Sequence, residues 1–85
     1  MRRNRDKVIA EKVMTELAHA RFKFGQFASA HEGYAVLLEE VHELWDEVRK
    51  GGTKPRSRER MRAEAIQVAA MAIRFASDVC GEVEP

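Results

Sequence analysis

The chain has 85 residues, which predicts a single small domain (residues 1–85) whose own hydrophobic core is marginal. A formal net charge of +1 provides no general attraction to nucleic acid or to an anionic membrane, and a single cysteine excludes an internal disulfide. No apolar run approaches the roughly 20 residues of a membrane span, and no secretory signal follows the basic start. We therefore expect a cytoplasmic protein that binds neither a membrane nor nucleic acid.

The first predicted helix covers about residues 5–20. One of its faces repeats at three- and four-residue steps and consists of Ile9, Val13, Leu17 and Ala20. After this helix, Phe22, Phe24 and Phe27 stand too close together for one helical face, and Gly25 lies among them, so we expect a bend there. The rings either anchor the bend to the core or, in a nucleotide enzyme, form a wall for a base. Lys23, in the same stretch, faces either water or phosphate.

The second predicted helix covers about residues 30–50. Ser29 is placed to cap it, Glu32 three residues later completes a capping box, and Gly51-Gly52 ends it. Its apolar face comprises Leu37, Leu38, Val41, Leu44, Trp45 and Val48. We expect this face, including Trp45, to form part of the core.

Three carboxylates lie together at the edge of that apolar face. At about 100° per residue, Glu40, Glu43 and Glu47 fall within about 60° of arc. Like charges at these spacings destabilise a helix by about 0.2–0.5 kcal/mol per pair, so we expect something to offset the repulsion. A divalent cation is the simplest candidate, because Mg²⁺ favours carboxylate oxygens. A solvated acidic face neutralised by lysine and arginine is the alternative.

The third predicted helix covers about residues 57–79, with Gly81 as its stop. Apolar residues cover most of its circumference and leave a narrow polar strip that consists of Arg60, Glu64, Gln67, Arg74 and Asp78. A helix this apolar is buried on more than one side, and two other helices of one small chain can hardly cover it. We therefore predict an all-α fold, in which a three-helix chain forms a bundle that is completed by a second subunit.

Two helices thus carry polar groups at i and i+3 beside an apolar face, and antiparallel packing brings such pairs together in a bundle. The segment Glu39-Glu40-Val41-His42-Glu43 matches an EExxE motif, and Glu64-Ala65-Ile66-Gln67 stands where an ExxD motif would follow it. Over residues 31–78 the chain resembles the MazG-like nucleotide pyrophosphohydrolases, the all-α NTP pyrophosphatase superfamily.

This resemblance implies a dimer or tetramer that uses Mg²⁺ or Mn²⁺ to split a (deoxy)nucleoside triphosphate into a monophosphate and pyrophosphate. By position, it implies metal ligands at Glu40, Glu43, Glu64 and Gln67. Glu47, one turn beyond Glu43, would hold a second ion or the attacking water, so the catalytic set is Glu40, Glu43 and Glu47. Substrate binding is assigned to Lys23, His31, Lys54 and Arg56. The last two belong to a cationic connection that is equally typical of a solvated linker.

Gln67 stands where the family has an aspartate. Its amide oxygen can ligate a hard cation, but the site then has one negative charge less and should hold Mg²⁺ more weakly. This departure keeps open a second hypothesis, a non-catalytic helical dimer of the same fold that binds a protein or nucleotide partner. The four glutamates at positions 40, 43, 47 and 64 favour the enzyme, because a purely structural bundle has no reason to crowd carboxylates beside its core.

Overall fold

The computed structural model describes residues 2–51 and 55–82. Over these residues the chain forms three α-helices, α1 (Arg2–Phe24), α2 (Ala30–Arg49) and α3 (Pro55–Asp78), and no strand. The prediction of an all-α fold is therefore confirmed. None of the three helices combines the length and the hydropathy that a membrane span needs.

Helix α1 extends to Phe24, beyond its predicted end at about residue 20. It stops at Gly25, which adopts a φ of +71° and donates its backbone N–H to the Arg21 carbonyl at 2.9 Å. Because Phe22 and Phe24 stay on the helix, they point away from the core, and Phe22 is 96% exposed. Only Phe27, which follows the bend, is buried. The phenylalanine anchor expected from the sequence thus consists of this one ring.

Helix α2 begins and ends as predicted. The hydroxyl of Ser29 accepts the Glu32 N–H at 3.1 Å, and the Glu32 carboxylate accepts the Ala28 N–H at 2.7 Å, which together form the capping box. At the other end Lys50 is the C-cap residue, and Gly51 has a φ of +79°. The left-handed conformation explains why a glycine stands at this position.

Helix α3 is the central element, because α1 and α2 each pack against it but not against each other in the part of the chain described. Glu16 contacts Gln67 and Arg21 contacts Asp78, so α1 and α3 run in the same direction. Gly33 lies beside Phe75, whereas Glu40 lies with Glu64 eleven residues earlier on α3, so α2 and α3 are antiparallel. This arrangement leaves a cleft between α1 and α2 with α3 as its floor.

The core is small and lies along α3. Its buried apolar residues are Val13, Leu17, Phe27, Ile66, Ala70 and Met71. Ala70 is fully buried, because its short side chain lets a neighbouring helix approach closely. Gly33 serves the same purpose on α2, since a Cβ atom there would lie 2.7 Å from Cδ2 of Phe75.

The expectation that the apolar face of α2 forms core is wrong for half of its residues. Trp45 is 59% exposed, and Val41 and Val48 are also exposed. Helix α2 rests on α3 through a side that carries Gly33 and Leu37 and also Glu40. That side lies to one flank of the apolar stripe, so the stripe faces outward from the single chain. Together with Tyr34, these residues form an exposed apolar face on α2, consisting of Tyr34, Val41, Trp45 and Val48.

A group of salt bridges and hydrogen bonds connects the bend between α1 and α2 to the end of α3. Asp78, whose side chain is 1% exposed, accepts a hydrogen bond from Arg21 Nη1 at 2.6 Å and from the Phe27 backbone N–H at 3.1 Å. Arg74, 4% exposed, donates from Nη2 to the Gly25 carbonyl at 3.0 Å and lies 3.9 Å from the Phe27 ring centroid. Burial alone would raise the pKa of Asp78, but the Arg21 and Phe27 hydrogen bonds and the two guanidinium charges lower it.

Candidate metal centre and adjoining cleft

Three glutamates from two helices converge at the α2–α3 contact. One carboxylate oxygen each from Glu40, Glu43 and Glu64 lies within 4.8 Å of the other two. The i, i+3 spacing places Glu40 and Glu43 side by side on α2, and the antiparallel packing of α3 brings Glu64 opposite them. The structure therefore brings together three of the four residues that the sequence predicted as metal ligands.

The cluster is electrostatically strained. Burial raises the pKa of Glu40 from 4.5 to about 7, and the charge and hydrogen bond of Glu43, followed by the charges of Glu64 and Glu39, act in the same direction. Burial likewise raises the pKa of Glu64, together with a hydrogen bond and charge from Glu43 and the charge of Glu47. Protons or a cation bound here would relieve this repulsion.

The donor set suits a hard divalent cation. All three donors are carboxylate oxygens, and Oε2 of Glu64 is buried without a hydrogen-bond partner among the described residues. Two oxygens on opposite sides of Mg²⁺ are about 4.2 Å apart, so small side-chain rotations would close the observed spread around one ion. This fit makes the cluster a candidate metal centre.

Glu47 lies one turn beyond Glu43 and is engaged differently. Its Oε2 accepts a hydrogen bond from Lys50 Nζ at 3.2 Å, and its side chain is 19% exposed. Its charge still reaches Glu64, whose pKa it raises. Glu47 therefore stands beside the three-glutamate cluster, already neutralised in part by Lys50.

Gln67, the fourth predicted ligand, makes a hydrogen bond with α1. Its Nε2 donates to Oε2 of Glu16 on α1 at 2.9 Å, in a partly buried hydrogen bond that joins two helices. The predicted role of Gln67 as a metal ligand depends on its amide oxygen, since the nitrogen is committed to Glu16. The sequence pattern did not indicate Glu16, which lies on the polar flank of α1.

A cleft of about 550 Å³ adjoins the cluster. Glu16 and Lys23 line its α1 side, Glu32, Val36, Glu39 and Glu40 line its α2 side, and Gln67, Met71 and Arg74 form its floor. Glu40 is thus common to the carboxylate cluster and the cleft. The volume lies in the range of small-molecule sites, which are about 300–1,000 Å³.

The end of the cleft away from the cluster holds two aromatic rings, two cationic side chains and the carboxylate of Glu32. Phe24 and Phe27 line it, Lys23 Nζ lies 5.2 Å from the Phe24 ring centroid, and Arg74 lies beneath Phe27. With a cation bound at the glutamates, the cleft would suit a ligand that carries anionic groups at that end and a flat ring at the aromatic end. The alternative reading of the phenylalanines as a wall for a base therefore stays a prediction, carried by Phe24 and Phe27.

The remaining predicted substrate residues are placed less closely. Lys23 lines the cleft, whereas His31 is exposed in the first turn of α2 and is absent from the residues that line the cleft. Lys54 lies outside the described residues, and of Arg56 only the backbone, in the first turn of α3, is described. Glu39 is exposed and lines the cleft on its α2 side.

Arg74 is a cleft residue to which the sequence analysis assigned no role. A signal for it existed, because Arg74 and Asp78 stand at i and i+4 in the half of the helix that is otherwise mostly apolar. Glu16 had no comparable signal, since its partner is 51 residues away in the chain.

Comparison of the chain with protein-family models, with curated proteins and with solved structures gives no match.

Proposed function

We propose that this protein is a Mg²⁺-dependent nucleotide pyrophosphohydrolase that splits a (deoxy)nucleoside triphosphate into a monophosphate and pyrophosphate. The observation that carries the proposal is the convergence of Glu40, Glu43 and Glu64 beside a cleft whose far end holds aromatic rings and Lys23. The resemblance of the EExxE segment and of the segment around Glu64 to the MazG-like enzymes names the reaction. Mn²⁺ is expected to replace Mg²⁺, because both prefer oxygen ligands.

In this proposal, Glu40, Glu43 and Glu64 hold the cation, and the Gln67 amide oxygen adds a neutral ligand. The bound ion supplies charge neutralisation at the phosphate oxygens and lowers the pKa of a coordinated water. Glu47, beside the cluster, orients the attacking water or accepts its proton. An α–β phosphoanhydride requires such neutralisation, because its negative charges repel a nucleophile.

The cleft provides the rest of the substrate site in this proposal. Phe24 and Phe27 contact the base, and Lys23 contacts the phosphate chain. His31, Lys54 and Arg56 are proposed to approach the phosphates from the edges of the site and to stabilise the departing pyrophosphate.

We also propose that the protein acts in the cytoplasm as at least a dimer. The exposed apolar face of α2 consists of Tyr34, Val41, Trp45 and Val48, and Ile73 of α3 is exposed as well. Such a face on a helix of a small chain is explained by a second copy that covers it.

One observation favours the second candidate, a non-catalytic helical dimer that binds a protein or nucleotide partner. The Gln67 side chain is neutral, and its nitrogen is engaged in a hydrogen bond to Glu16 of α1. A site that has lost one acidic ligand in this way would hold a cation more weakly.

The test is pyrophosphate release from a panel of standard and modified nucleoside triphosphates, with Mg²⁺ or Mn²⁺. We expect turnover of at least one nucleotide, and its loss in Glu43→Gln, which keeps the size and helix propensity of the side chain. Asp46→Asn is the matched control on the same helix, since Asp46 is exposed and pairs with Arg49 at 3.1 Å. Absence of turnover of any nucleotide would overturn the enzyme proposal in favour of the binding module.

A further inference from the structure

The hydrogen bond from the Gln67 side chain to Glu16 determines which end of the Gln67 amide faces α1. Glu16 lies on the α1 side, Gln67 on the α3 floor and Glu40 on the α2 side. We propose that Glu16 is a positioning residue that turns the amide oxygen of Gln67 toward the cation site of Glu40, Glu43 and Glu64. This inference rests on the proposed metal site and adds to it a residue from α1.

The chemistry of the two side chains fixes the orientation of the amide. An ionised carboxylate only accepts hydrogen bonds, so the Gln67 atom that faces Glu16 at 2.9 Å must be the nitrogen. The nitrogen and oxygen of a planar amide diverge by about 120°, so the oxygen is turned away from α1. On the floor of a cleft between α1 and α2, that direction leads toward the α2 side, where Glu40 stands.

The orientation matters because the two ends of the amide differ in their effect on a cation. The oxygen is a ligand for Mg²⁺ or Mn²⁺, whereas the NH₂ group carries positive partial charge and would oppose binding. An aspartate needs no such control, since either of its oxygens can ligate. Glu16 therefore compensates for the glutamine at position 67 by keeping the correct end in place, although it contributes no ligand itself.

The experiment measures Mn²⁺ affinity of the full chain by electron paramagnetic resonance of free Mn²⁺, without nucleotide. We expect Glu16→Ala to weaken Mn²⁺ binding about 10- to 100-fold, the range found when a residue that orients a metal ligand is removed. Glu11→Ala is the matched control, because it removes the same charge from an exposed position of α1 and should change the affinity little. Thermal melts of each metal-free variant check that it is folded.

The decisive comparison repeats Glu16→Ala in a Gln67→Asp background. There the loss of affinity should largely disappear, because a carboxylate presents an oxygen in either orientation. An equal loss in both backgrounds would overturn the inference and show that Glu16 acts through its charge alone; no loss in either would also overturn it. If Glu16→Ala does not fold, Glu16→Gln replaces it. The loss of Mn²⁺ affinity should then be smaller, since a glutamine at position 16 can bond to either end of the Gln67 amide and so only partly loses control of its orientation.

Failure of the metal site itself has a different signature. If the unmodified chain and Gln67→Asp both fail to bind Mn²⁺, the proposed function falls and the role of Glu16 falls with it. If the unmodified chain binds Mn²⁺ and Glu16→Ala binds it equally well, only the role of Glu16 is refuted.

Discussion

Replacing Glu43 by glutamine should make the metal-free protein more stable, although it removes a charged residue from the candidate site. Burial and then Glu43 are the main reasons that the pKa of Glu40 rises from 4.5 to about 7. One pKa unit corresponds to about 1.4 kcal/mol, so full ionisation of Glu40 would cost about 3 kcal/mol of folding free energy without screening. The site is partly open to water, which screens the charges, and Glu43 is only one of the causes. We therefore expect Glu43→Gln to raise the free energy of unfolding by about 1 kcal/mol.

The sign of the pH dependence follows from the raised pKa. Between about pH 4.5 and 7 the folded protein binds more protons at Glu40 than the unfolded chain does. The contribution of Glu40 to the folding stability is therefore fully present below about pH 4.5 and is lost as the pH rises through about 7. The metal-free protein should be more stable at about pH 5 than at about pH 8, and Glu43→Gln should reduce that difference. Asp78, whose pKa is lowered, does not titrate in this window.

The assay is a thermal melt at both pH values, with and without Mg²⁺. At about pH 8 without metal, Glu43→Gln should raise Tm by about 4–8 °C, the shift that 1 kcal/mol produces in a domain of this size. Mg²⁺ should stabilise the unmodified protein but not the variant. Glu39→Gln is the control on the same helix; its charge is the smallest contribution to the Glu40 pKa, so its effect should be smaller. Equal behaviour of the two variants would refute the reasoning and indicate a solvated acidic face.

Two further predictions concern the fold and its assembly. Asp78→Asn should lower the free energy of unfolding, measured in urea, by about 3 kcal/mol. It weakens the hydrogen bonds from Arg21 and Phe27 and leaves the buried Arg74 without its countercharge. A loss no larger than that of Asp46→Asn, which affects an exposed ion pair, would contradict this. The unmodified protein should sediment as at least a dimer at micromolar concentration. Trp45→Glu should shift it toward the monomer, because a charge on the exposed apolar face of α2 opposes burial of that face. A well-folded monomer of the unmodified protein would remove the argument for a second subunit.

The helices and their ends were open to prediction because local interactions decide them. Ser29 caps α2 through a contact three residues away, and the glycines at 25, 51 and 81 end helices through their own backbone conformation. The grouping of Glu40 with Glu43 is likewise local, since one helical turn separates them. The sequence alone therefore determined the all-α character, the bounds of α2 and the acidic edge of α2.

The tertiary structure decided what depends on the rotation of each helix against its neighbours. A periodic apolar stripe shows that a helix has a preferred side, but the rotation of α2 is set by its packing on α3. There Gly33 lies against Phe75, and Trp45 is left outside. The partner of Gln67 lies 51 residues away and that of Arg21 lies 57 away, so no local pattern reports either contact. Only the packing of α1 alongside α3 brings Glu16 to the Gln67 amide, because that contact requires two helices in a particular register. The bend after α1 then places Phe27 against Arg74 of α3.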